Sequence, residues 1–136
     1  MLRVVLDTNI TASIFTKPDG RSAQIWQTAL EGRFQIISSS ALLSELGRVL
    51  RAKFAFPVDE VHRILRSLAR RAEIVQPGKS LTVITADPSD NRILECAEAG
   101  HADLIVSNDH HLLDLKTFGG IPIIVGPDFR RILGLK

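Results

Sequence analysis

The sequence predicts an α/β fold in which a mostly parallel sheet is flanked by helices. Three observations predict it. Short β-branched or apolar runs recur along the chain at Val4-Val5-Leu6, Phe34 to Ile37, Ile74-Val75, Leu104-Ile105-Val106 and Ile121 to Val125. Segments with helical spacing of apolar residues separate them. Strands alternating with helices imply right-handed crossovers, hence parallel pairing. The 136 residues suit one domain spanning 1–136 around one core, with no internal repeat, low-complexity tract or linker.

Each element has a local reason. Val4-Val5-Leu6 has the composition of a strand buried on both faces. Thr8 to Phe15 reads as a short helix, and Lys17-Pro18-Asp19-Gly20 as a turn. Ser22 to Gly32 carries Ile25, Trp26, Ala29 and Leu30 at helical spacing and ends on glycine. After the strand at Phe34 to Ile37, Ser39 or Ser40 can cap a helix running to about Ala52. Phe54-Ala55-Phe56-Pro57 breaks it. A helix from Val58 to Arg71 turns Val61, Ile64, Leu65 and Leu68 inward. Ile74-Val75 is a short strand, and Gly78 to Ala86 an irregular connection. Pro88 at a first helical position starts a helix through Ala99, which Gly100 closes. Leu104 to Val106 is a strand, Asp109 to Leu113 a short helix, Ile121 to Val125 the last strand and Pro127 to Leu133 a final helix.

Composition narrows the function classes. A net charge of +2 neither requires nor forbids a nucleic-acid partner, because the clustering of charge decides that. The one cysteine, Cys96, rules out an internal disulfide and reads as a small core residue in a reducing, cytoplasmic setting. No Cys/His spacing suggests structural zinc, and no run approaches a membrane span or a signal peptide.

Four acids carry the chemistry. Asp7 follows the first strand, and Asp109 follows the strand at Leu104 to Val106. Glu45 lies in the apolar stripe of Ala41, Leu42, Leu46 and Val49; Asp90 leads the stripe of Ile93, Leu94 and Ala97. Each has a local explanation. Glu45 can pair with Arg48 at i,i+3, Asp87 and Asp90 can cap the helix at Pro88, and Asp7 and Asp109 can cap the helices that follow them. Their joint placement at the carboxyl end of one sheet is the stronger signal, because ligands of such sheets bind there. Converging carboxylates need a positive partner, and a hard divalent cation such as Mg²⁺ or Mn²⁺ is the simplest.

Several segments together look familiar. Val4-Val5-Leu6-Asp7-Thr8-Asn9, Leu42-Leu43-Ser44-Glu45-Leu46, Asp87-Pro88-Ser89-Asp90-Asn91 with Leu94-Glu95-Cys96-Ala97, and Ala102 to Asp109 with His111-Leu112-Leu113 resemble, in order and spacing, the motifs of PIN-domain nucleases. The resemblance runs from Leu2 to about Val125 and is nearest to small stand-alone prokaryotic PIN proteins of the VapC toxin type. Thr11 stands where an apolar residue is usual, and Asn108 where glycine commonly precedes the last Asp.

The resemblance implies a three-layer α/β/α sandwich and Mg²⁺- or Mn²⁺-dependent hydrolysis of RNA phosphodiester bonds. It implies metal binding and catalysis by Asp7, Glu45, Asp90 and Asp109, with Asn9, Ser107 and Asp87 supporting them. It also implies a homodimer and an antitoxin partner. Arg48, Arg63, Arg66 and Arg70 are the weaker candidates for gripping RNA, each with a plain surface reading beside it. His110 and His111 are assigned no catalytic role, and with six Phe, one Trp and no Tyr no base-stacking platform is evident. Two alternatives compete: a non-enzymatic PIN-fold module binding RNA or protein, and a Mg²⁺-dependent phosphatase using Asp7 as nucleophile, which would want an acid where Asn9 stands.

Overall fold

The computed structural model describes residues 1–135; Lys136, the last residue of the expected domain, lies outside the described residues. The strands are β1 (Arg3–Leu6), β2 (Gln35–Ser39), β3 (Glu73–Val75), β4 (Leu104–Val106), β5 (Thr117–Phe118) and β6 (Ile121–Ile124). The helices are α1 (Thr8–Thr16), α2 (Ser22–Leu30), α3 (Ser40–Ala52), α4 (Val58–Arg71), α5 (Asn91–Ala99), α6 (His110–Leu113) and α7 (Gly126–Ile132).

The sheet order is β3-β2-β1-β4-β6-β5, and every pairing is parallel except β5 with β6. Successive side chains of a strand face opposite ways, and the two cores follow that period. Val4, Leu6, Ile36 and Val106 meet the inner faces of α1 to α4 and α7, while Val5, Ile37, Ile105 and Ile123 meet α5 and α6. The result is a three-layer α/β/α sandwich. The chain leaves β1 toward β2 and β3, then returns to place β4 on the other side of β1. That reversal between β1 and β4 opens a crevice at the carboxyl ends of the two strands, where Asp7 and Ser107 emerge.

Local chemistry explains most boundaries. Ser39 caps α3 through Leu42 N, which settles the choice between the two serines. Gly100 closes α5 where a Cβ would come within 2.4 Å of Ile37 Cγ2, so only glycine lets the helix end lie on β2. Arg3 ties the opposite end of the sheet, donating to Gly100 O and to both Glu73 carboxylate oxygens. Cys96 is fully buried, and burial pushes its thiol up to about 12, so it is inert.

Two elements differ from the sequence reading. The helix expected from Pro88 starts as a 3-10 turn, Pro88–Asp90, and becomes α-helical at Asn91. The strand β5 was not expected. It pairs with β6 through a two-residue turn at Gly119-Gly120, both at positive φ, as a tight hairpin demands.

Candidate active site

The crevice is a cleft of about 330 Å³ lined by the ends of β1 and β4, by α3 and by the 3-10 turn leading into α5. Asp7, Glu45, Asp87, Asp90 and Asp109 all line it, together with Asn9. Asp87, Asp90 and Asp109 each offer an oxygen within 4.8 Å of the others; Asp7 and Glu45 lie outside that trio.

Each acid is held by its own element. Asp7 follows β1, is 6% exposed, and accepts from Thr8 N at 2.7 Å and from Ser107 Oγ at 2.6 Å. The same Ser107 oxygen accepts from Asp109 N at 2.9 Å, so one buried hydroxyl fixes both acids. Asp109 caps α6 by accepting from His111 N. Asp87 caps the 3-10 turn through Ser89 N and accepts from Ser89 Oγ. Capping and ligation are therefore compatible here: a carboxylate has about four acceptor positions, and these caps use only some of them.

Asp90 differs. It is also 6% exposed, yet its Oδ2 is buried without a hydrogen-bond partner. Burial, then the charges of Asp109, Asp87 and Asp7, raise its pKa to about 7. Asp7 is raised as well, mainly by burial, although the bonds from Ser107 and Thr8 oppose the shift. An orphaned buried oxygen among like charges is an expensive arrangement that a cation would relieve. The donors are all carboxylate oxygens, the set that hard Mg²⁺ or Mn²⁺ prefers. The residues fit such an ion.

A family model described as a PIN domain matches residues 3–111. The chain belongs to the PIN-domain family. An uncharacterized protein of Methanocaldococcus jannaschii is 27% identical over 119 residues, covering 85% of this chain and 76% of that protein. Among solved structures, the fold is similar to a chain in the crystal structure of VapBC2 from Rickettsia felis bound to a DNA fragment from their promoter. That match has a TM-score of 0.61 at 19% identity and covers 91% of this chain and 98% of the other.

Other residues of this PIN domain sort by position. Glu45 reaches the cleft, but Arg48 grips it through two hydrogen bonds of 2.7 and 3.2 Å. It is half-buried at the cleft wall rather than sunk in the core that its stripe suggested. Arg48 lines the cleft; Arg63, Arg66 and Arg70 do not. The three are exposed on α4, and Arg70 borders a separate groove with Trp26 and Phe15. Lys53 and Arg92 are the other cations at the cleft. Arg92 was missed by sequence reading, although its i,i+3 spacing to Glu95 was a usable signal. His110 and His111 come within ligand range of Asp109, His110 exposed and His111 half-buried. Thr11 is buried and its hydroxyl donates to Asp7 O, which accounts for a polar residue there. Asn108 does not adopt positive φ; its Oδ1 accepts from Gly126 N and ties β4 to α7.

Proposed function

We propose that this PIN domain is a divalent-metal-dependent ribonuclease, the toxin of a toxin–antitoxin pair. The observation that carries the reading is Asp90, whose buried Oδ2 has no partner and whose carboxylate clusters with those of Asp87 and Asp109 in a cleft also lined by cations. Asp87, Asp90 and Asp109 would hold the ion, with Asp7 and Glu45 beside it. A bound Mg²⁺ or Mn²⁺ supplies Lewis-acid chemistry, screening phosphate charge and activating water at neutral pH.

The chain's own residues do the rest. Ser107 keeps Asp7 and Asp109 in register through its single hydroxyl. Asn9, exposed at the cleft, offers an amide to orient water or substrate. Arg48, Lys53 and Arg92 present positive charge where phosphates flanking the scissile bond would lie. The acidic floor repels a polyanion until a cation is bound, which makes activity conditional on metal.

The fold likeness to a VapBC2 chain supports the toxin reading and an antitoxin partner; a homodimer and a cytoplasmic location are proposed with that reading. Among the described residues no helix is long and apolar enough to cross a membrane. The test is cleavage of labelled single-stranded and structured RNAs with Mn²⁺ or Mg²⁺ against EDTA, using the native chain and an Asp7→Asn, Asp90→Asn double variant. Metal-dependent cutting that the variant lacks supports the nuclease. Metal binding without cutting of any RNA would contradict the substrate assignment. Growth arrest on expression, relieved by Asp90→Asn, would support the toxin assignment, and unimpaired growth would count against it.

A further inference from the structure

The three cations at the cleft are held differently. Arg92 Nη2 is bound to Glu95 at 2.6 Å, so that guanidinium is anchored by an acid, only 7% exposed, that does not line the cleft. No ion pair is recorded for Lys53 among the described residues. Arg48 alone is paired with an acid that itself lines the cleft. Its Nη2 donates to Glu45 Oε1 at 2.7 Å and its Nε to Oε2 at 3.2 Å, so both oxygens of Glu45 are engaged. Glu45 stands apart from the Asp87–Asp90–Asp109 trio, and the acids that push Asp90 upward are Asp109, Asp87 and Asp7.

We propose that Arg48 is an exchangeable counter-ion. It holds Glu45 away from the aspartate trio, gives it up when a divalent cation binds, and then takes a substrate phosphate in its place. The proposal rests on the metal-dependent nuclease reading above. Two facts make the exchange physically easy. The pair is open to water, with side chains 63% and 31% exposed, and pairs of that kind are weak. The planar fork that fits a carboxylate fits a phosphate equally well. The exchange orders the events: cation first, Glu45 inward, and only then a free guanidinium for RNA.

Calorimetric titration with Mn²⁺ in the absence of nucleic acid tests the first half. The proteins are the native chain, Arg48→Gln, Glu45→Gln and the double variant; Arg48 is exposed, so its removal leaves the core intact. Arg48→Gln should bind Mn²⁺ about fivefold tighter, because Glu45 no longer has to be released. In the Glu45→Gln background the same change should give no tightening. The second half is read from RNA kinetics, where Arg48→Gln should raise KM about tenfold by losing a bidentate phosphate contact. Unchanged or weaker Mn²⁺ binding by Arg48→Gln, tightening that survives with Glu45→Gln, or an unchanged KM would each overturn the exchange. A native chain that binds no Mn²⁺ would instead overturn the metal reading, and this proposal with it.

Discussion

At Asp90 a carboxylate sits almost wholly buried with one oxygen unpartnered and three acids acting on its charge. Its pKa of about 7, against 3.8 ordinarily, fixes the sign of a pH effect. Between those values the folded chain keeps a proton that the unfolded chain releases, so without metal stability falls as pH rises from about 4 to about 7. Asp7 shifts in the same direction. Metal-free Asp90→Asn should lose most of that slope. At pH 8 it should exceed the native chain by about 1 kcal/mol or more, roughly 3–5 °C in Tm by thermal unfolding. A saturating divalent cation should reverse the order, adding about 2.7 kcal/mol to the native chain at 100 times Kd. The candidate acids were visible as residues because Asp7 and Asp109 follow strands and Glu45 and Asp90 interrupt apolar stripes. Their convergence at one end of the sheet was legible, but which of them share a close cluster was not. Which oxygens a cap consumes depends on rotamers and neighbouring backbone, and so Asp87 joins the trio while Glu45 is drawn to Arg48.

Among the elements, the segment from Gly78 to Ala86 depends on α5. Asn91 accepts from Ile84 N and donates to Ile84 O, and the Glu95 carboxylate accepts from Leu81 N. Both side chains are buried. Losing either leaves backbone groups unpaired, so Asn91→Ala or Glu95→Ala should cost about 1–3 kcal/mol by denaturant unfolding and speed amide exchange over 78–86. Gly100→Ala should cost a similar amount, about 1–3 kcal/mol, because its methyl would press on Ile37. Helices and central strands were legible from periodicity, and α4 matches its expected bounds, Val58–Arg71. Hairpin β5–β6 escaped because two-residue β5 is too short to show a pattern, although Gly119-Gly120 is a turn signature. The strap over α5 escaped because side chain to backbone bonds spanning 7 and 14 residues follow no period.

For the whole molecule, topology does the gathering. Residues 7, 87, 90 and 109 line one cleft because the strand order reverses between β1 and β4, and strand alternation already implied a sheet with such an end. The net charge of +2 hides an acidic floor beneath a cationic rim. If Arg48, Lys53 and Arg92 contact three phosphates of single-stranded RNA, log Kd should rise with log salt at a slope of about 2, and by about 0.7 less in Arg48→Gln. A flat salt response in a binding titration would remove the rim from the interface. The central claim is that the unpartnered oxygen of Asp90 belongs to a divalent-cation site. The most direct measurement is an anomalous difference map from crystals of the native chain grown with Mn²⁺. The account predicts a peak at coordinating distance from Asp87, Asp90 and Asp109. A cleft without a peak at saturating Mn²⁺, or a side-chain cation found bonded to Asp90 in its place, would contradict it.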